Sequence, residues 1–290
     1  MARPLGSPAA ADGSRRRLWS YAGVSTRVAV GRAQVVREVR AAARLMADLR
    51  APVTARAPWL TTVLNVDAAR RGTGRPAAVV VESDAQDGPE AVAFLTLRRR
   101  GPRVRVTVLG SASGPLPAGR PTARLLARDD AAAGALAAGI ADLLAVLRGF
   151  RRLELTGLPL GDPTARALSA RLPDGLIANA RSTGLLDELD GVGDVRRSRD
   201  PRELERCLPA LLARAPRERT FLRAAARLHV AIGELEVAVL PGPDGPRAAL
   251  LTLVDGDERW PWWGFTDVGG LGTAMGAPVG SLTDPARRWP

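Results

Sequence analysis

Two stretches of this chain can be laid side by side: DGPEAVAFLTL at residues 87–97 and DGPRAALLTL at 244–253, one residue shorter. Each opens on an Asp-Gly-Pro turn and runs into an apolar segment, the pattern of a hairpin's second strand. Each follows two segments of helical periodicity and one strand, and each precedes a further strand. Two ordinary hairpins could share this turn chemistry. The same five-element order on both sides favours an internal duplication, because repeats at a fixed period outrank local coincidence.

The first unit begins at residues 35–50, where Val35, Val39, Ala42, Ala43, Met46 and Leu49 fall at helical spacing and Pro52 closes the run. A second helix is predicted over 57–71, with Pro58 in its first turn. Strands follow at 77–83, 91–100 and 104–110, joined by tight turns as an antiparallel meander. After a Gly/Pro loop come an Ala-rich helix (131–147), a strand (151–157), a helix opened by Asp162 and Pro163, and a strand from 175. The second unit has a helix with Asp200 as N-cap, Pro201 next and Glu203 placed to close a capping box. A further helix leads to strands at 234–240, 247–256 and 259–267. Alternation of helices and strands predicts an α/β fold of mixed, α+β character. The expected divisions are a flexible basic arm (1–30), a first domain (31–190) and a second, incomplete domain (191–290).

With 290 residues, 46% of them hydrophobic, the chain can bury a sizeable core. The 42 basic residues outnumber 30 acidic ones and all are arginine. Such charge attracts anions. The wealth of Ala, Gly, Pro and Arg also matches GC-rich coding, and no basic stripe with interleaved aromatics is visible, which argues against nucleic acid. One cysteine, Cys207, excludes an internal disulfide or a cysteine-based metal cluster, and it fits a buried place in a helix and a reduced, cytoplasmic setting. Residues 14–19 carry paired arginines without the sustained apolar core of an export signal. The most apolar run, 131–147, is too short and too Ala-rich to span a bilayer.

The order of elements resembles the GNAT superfamily of acyl-CoA-dependent N-acyltransferases, in particular its double-domain, cellulose-biosynthesis-type or FemAB-like branch. The likeness is carried by Pro58-Trp59, by the segment 91–97, by LELTGLP at 153–159, and in the second half by residues 221–233, 245–253 and Trp262-Trp263-Gly264-Phe265. It spans about residues 35–270. It implies two GNAT-like halves, acetyl-CoA or another acyl-CoA as cofactor, a small-molecule amine as acceptor, and no metal.

The resemblance also implies a pyrophosphate held by a Gly-rich turn at a helix N-terminus. Gly110, Ser111 and Gly114 follow the first meander, and Gly269, Gly270 and Gly272 follow the second. Asp267 stands where the pattern wants a cation or an amide, and only 18 residues follow Gly272, broken by prolines, so the second half reads as truncated and its loop as a relic. Glu154, Glu234 and Glu236, on strands, are the candidate bases, and Trp262 and Trp263 form a candidate substrate wall. His229 ends a helix, where a structural role is expected. Two readings stay open: an N-acyltransferase whose CoA site has decayed in part, and a non-catalytic scaffold or ligand-binding protein that uses the cleft between the halves.

Overall fold

The computed structural model describes residues 16–21, 24–70, 74–84 and 88–288. In chain order the elements are β1 (Arg16–Tyr21), β2 (Val24–Val30), α1 (Arg32–Ala41), α2 (Ala43–Asp48), α3 (Ala57–Ala69), β3 (Arg75–Ser83), β4 (Pro89–Arg100), β5 (Arg103–Val108), β6 (Leu126–Ala127), α4 (Asp130–Val146), β7 (Phe150–Pro159), α5 (Pro163–Ser169) and β8 (Leu176–Asp187). The chain continues with β9 (Arg196–Ser198), α6 (Pro201–Arg214), α7 (Arg219–Ala231), β10 (Leu235–Leu240), β11 (Ala248–Asp255), β12 (Glu258–Thr266) and β13 (Leu271–Arg288). The mixed α/β class is as expected, and the predicted helices and strands fall in the predicted order, but β1, β2, β6, β9 and β13 come in addition to them.

The caps explain several boundaries. The Asp129 carboxylate accepts from the Ala132 amide at the start of α4, and Asp162 accepts from Ala165 at the start of α5. Asp200 caps α6 through the Arg202 amide. Glu203 does not close the expected box. It pairs with Arg206, and the Asp200 amide donates instead to Ser198 Oγ. The single helix expected over 35–50 is divided at Ala42 into α1 and α2.

The larger sheet has the order β1-β2-β3-β4-β5-β7-β13-β8, with β6 on the flank of β4. Every pairing in it is antiparallel except β5 with β7. Apolar side chains of one parity, such as Leu95, Val106 and Leu155, pack on α4 and α5. On the other face Ala78, Val80 and Phe94 pack on α1–α3, whose far sides meet α6, α7 and the smaller sheet β12-β11-β10-β9. The helices α1–α3 are therefore shared between the two halves.

Three expectations are corrected. Residues 1–15 of the expected arm lie outside the described residues, as does Ala85-Gln86-Asp87 of the first Asp-Gly-Pro turn, but β1 and β2 occupy the rest of the arm. β2 pairs with β3 along its length, and Arg27 bonds the carboxylates of Glu38 (2.7 and 2.6 Å) and Glu82 (2.7 and 3.1 Å). Those bonds, Glu38 first, hold its guanidinium pKa above the ordinary value.

Secondly, the last residues are not a truncated remnant. β13 slots between β7 and β8 and pairs antiparallel with both, which removes two sheet edges that would otherwise be left open. The expected boundary of a second domain running to residue 290 thus crosses the larger sheet. Thirdly, the prolines of this segment do not break it. The β8 register shifts between Met275 and Pro278, and the β7 register between Asp284 and Arg287, on either side of Pro285. Proline lacks the N–H of a regular ladder and is tolerated at such bulges.

Candidate functional site

The faces of β4, β5 and β7 that point towards α1–α3 are covered only in part. Beyond α3 that face is polar. Arg98 and Arg100 of β4 stand directly opposite Arg105 and Arg103 of β5, and Arg105 stands opposite Arg152 of β7. The other parity is apolar or points away: Arg99 donates to the Arg148 carbonyl at 3.0 Å. The floor so formed opens into a hollow of about 570 Å³ lined by Arg98, Arg100, Arg103, Arg105, Arg152 and Phe150.

This hollow adjoins a second, of about 390 Å³, which shares Arg98 and Arg105 and adds Asp67, Arg70 and residues 110–113. Its wall is the C-terminal end of α3 and the loop after β5. The Ser113 hydroxyl donates to Asp67 Oδ2 at 2.9 Å, and Arg70 donates to the Ser113 carbonyl at 2.9 Å. Burial pushes the Asp67 carboxyl above its ordinary range, against the lowering effect of Ser113 and Arg70. A third hollow continues into the cleft between the halves. It is lined by Arg70, residues 112–115, Arg217, Glu218 and Trp263. The three form one groove with seven arginines against Asp67, Glu218 and the adjoining Glu154.

The expected site residues are only partly brought together. Gly110, Ser111, Gly114 and Trp263 line the groove. Glu154 stands at the last paired rung of β5 and β7, opposite Thr107. Its carboxylate is held by Arg105 at 3.0 Å and Arg152 at 2.5 Å. Glu234 and Glu236 belong to the other half. Glu234 accepts from buried His229, Nδ1 to Oε2 3.0 Å. Glu236 is gripped by Arg259 at 2.8 Å and lies 3.6 Å from Arg197. Trp262 is a core residue whose indole N–H donates to the Pro115 carbonyl at 2.9 Å.

Gly269, Gly270 and Gly272 do not form a phosphate cradle ahead of a helix. Gly269 and Gly270 have φ of 89° and 80° and make the turn from β12 into β13. The Gly270 carbonyl accepts from the Glu188 amide, and Gly272 is already paired with Leu186 in the sheet. Asp267 is spent on Arg214, at 2.8 Å.

The arginine floor itself was missed in the sequence. Its signal was the alternation R-R-R-G-P-R-V-R at 98–105, a charged hairpin in which every second residue shares a face.

The fork between β5 and β7, where the resemblance would seat an acyl-CoA, is crossed by the chain itself. β6 resumes against β4 the rail that β5 leaves, and residues 109–125 loop out between them and return across the fork. There the amides of Thr122 and Ala123 both donate to the Gly157 carbonyl, at 2.9 and 3.0 Å. At the N-terminus of α4 the Asp129 side chain takes the Ala132 amide, and Asp130 adds a second carboxylate. Acidic groups there disfavour a pyrophosphate.

Among the described residues no group of three or more His, Cys, Asp or Glu is placed to hold a metal ion, and no helix is long and apolar enough to cross a membrane.

No family model matches the chain, and no curated protein matches it. Among solved structures it is similar to a conserved protein of unknown function and probable N-acyltransferase from Enterococcus faecalis V583. That match has 10% identity and a TM-score of 0.33, and covers 88% of this chain and 72% of that one. A tandem GNAT protein of the clavulanic acid biosynthesis pathway is 18% identical, with a TM-score of 0.34 and coverage of 81% and 79%. A GCN5-related N-acetyltransferase from Sphaerobacter thermophilus is 12% identical, with a TM-score of 0.30 and coverage of 89% and 95%. These are likenesses of outline.

Proposed function

We propose that this chain is a ligand-binding protein of acyltransferase-like architecture, which holds an anionic small molecule in the arginine-lined groove and does not turn over acyl-CoA. The observation that carries this reading is the groove's charge. Arg98, Arg100 and Arg103 have no ion-pair partner among the described residues, while Thr122 and Ala123 close the fork where an acyl-CoA would enter. The cleft arm of the groove adds the Trp263 indole, beside Arg217 and Glu218, to contact the rest of such a ligand.

A second reading, an N-acyltransferase acting on a small-molecule amine, is favoured by one observation. Glu154, at the end of the paired part of the fork, stands on the groove side, where a base would have to stand. It requires residues 109–125 to leave the fork.

Thermal shift with acetyl-CoA, CoA and a series of small anions, at low and high salt, separates the two. The expected result is stabilisation by an anion that fades with salt, with no release of CoA from acetyl-CoA when amines are supplied. Saturable acetyl-CoA binding with amine-dependent CoA release would replace this reading with the second. A thiol reagent suits the release assay, because burial pushes Cys207 up to about 12.

A further inference from the structure

We infer that the floor of the groove is a site for a small molecule carrying an oligophosphate chain, such as inorganic triphosphate or a nucleoside triphosphate. This inference rests on the anion-binding reading above and names the ligand's class.

Two rungs of the β4–β5 hairpin set arginine directly against arginine: Arg98 opposite Arg105, and Arg100 opposite Arg103. Like charges directly opposite each other destabilise a sheet. Glu154 offsets Arg105 and Arg152 only. Arg98, Arg100 and Arg103 have no carboxylate within ion-pair distance among the described residues. The hairpin thus concentrates positive charge that the acids of the described residues do not answer.

The layout selects the class of anion. On one face of a sheet, neighbours are about 5 Å apart across strands and about 7 Å apart along a strand. Guanidiniums rooted on three strands spread over more than one phosphate can reach, whereas a chain of linked phosphates can lie along β5 and accept forked hydrogen bonds from both sides. The hollow of about 570 Å³ is of small-molecule size. The wall built by α3, Ser111 and Ser113 limits it at one side, which favours a small molecule over a nucleic-acid strand running through.

The test is isothermal titration of the full chain with inorganic triphosphate, orthophosphate, succinate and a single-stranded oligonucleotide, repeated on R98Q/R103Q and on R223Q, an exposed helix position outside the groove. Triphosphate is expected to bind at least about tenfold more tightly than orthophosphate, and R98Q/R103Q to weaken it by about tenfold or more, the loss of even one charge-assisted bond being of that size. R223Q should leave binding unchanged. Without ligand, R98Q/R103Q should melt no lower than the parent chain, because it removes repulsive rungs, and this shows that lost binding is not lost folding.

Equal affinity for orthophosphate and triphosphate, or succinate as the best ligand with R98Q/R103Q still weakening it, overturns the oligophosphate assignment and leaves the groove reading standing. Binding of the oligonucleotide in preference to triphosphate overturns the small-molecule assignment. No binding of any anion overturns both.

Discussion

Gly276 lies where β13 passes beneath the loop that follows β5. The Ala277 amide donates to the Gly119 carbonyl at 2.7 Å, and a Cβ on Gly276 would fall inside the van der Waals envelope of the Gly119 backbone. Gly184 of β8 meets Gly119 from the other side, so three glycines let three backbones cross. Gly276→Ala should cost about 1–3 kcal/mol in urea unfolding, the range for overpacking. Gly272→Ala, with no atom nearer than 3.8 Å, should cost clearly less.

Asp162 offers a pH-dependent case. Burial, partly countered by the amides of Ala165 and Thr164, raises its carboxyl above 3.8. The folded state therefore holds this proton more tightly than the unfolded chain does. Its stabilising effect is complete below pH 3.8 and is lost as pH rises through the raised value. Asp162→Asn keeps an acceptor for the Ala165 amide without the charge. Its stability relative to the parent chain should rise between about pH 4 and pH 7, and Asp162→Ala, which removes the same titration, should follow the same rise from a level about 1 kcal/mol lower because the cap is lost.

Among the elements, the excursion between β5 and β6 is the one that crosses the fork between β5 and β7. It is tied down at many points besides the two amides on Gly157. Thr54 Oγ1 donates to the Thr122 carbonyl at 2.6 Å, Arg124 reaches the Leu49 carbonyl, and Trp262 holds Pro115. Amide hydrogen exchange should then show Thr122 and Ala123 protected to the level of β7, unlike a surface loop. Exchange at the rate of an exposed loop would mean that the fork stands open in solution. The sequence marked these residues as a Gly/Pro connection and did reveal that it was long. It could not reveal that the chain re-enters β4's flank at Leu126, because a two-residue strand leaves no periodic signature.

At the scale of the whole molecule, one apolar core runs from β3 and β4 through α1–α3 to α6, α7 and β10–β12. Trp59 sits at its centre, edge-on to Phe221 (5.2 Å between centroids) and to Trp262 (5.4 Å). Arg56 and Asp255 clasp the halves with bonds of 2.8 and 2.5 Å. The halves should therefore unfold in a single transition by near-UV circular dichroism and by tryptophan fluorescence. A chain ending at Gly270 should lack native near-UV signal, since β7 and β8 would lose the strand that joins them. Two separated transitions, or a native-like shortened chain, would show the halves to be independent.

The local elements were legible because their causes are local. The apolar spacing of α1 and α2, the proline in the first turn of α3, the Asp-Pro starts of α5 and α6, and the Gly-Pro turns of both meanders all act within a few residues. The succession of helices and a three-stranded meander on each side was legible for the same reason, whereas the strands that precede the helices, β2 and β9, were not. Of the candidate site residues, Gly110, Ser111, Gly114 and Trp263 line the groove and Glu154 adjoins it, and it was the pairing of strands, not the glycine spacing that marked them, that brought them there. What tertiary structure alone decided was long-range pairing. Whether residues 271–288 are a remnant or a central strand depends on the two edges waiting for them, between 84 (Leu271 to Asp187) and 138 (Arg288 to Phe150) residues away in sequence. Whether a run of arginines is scattered charge or one patch depends on which strands lie side by side. The sequence lists the side chains of β4, β5 and β7, and only the sheet puts them on one face.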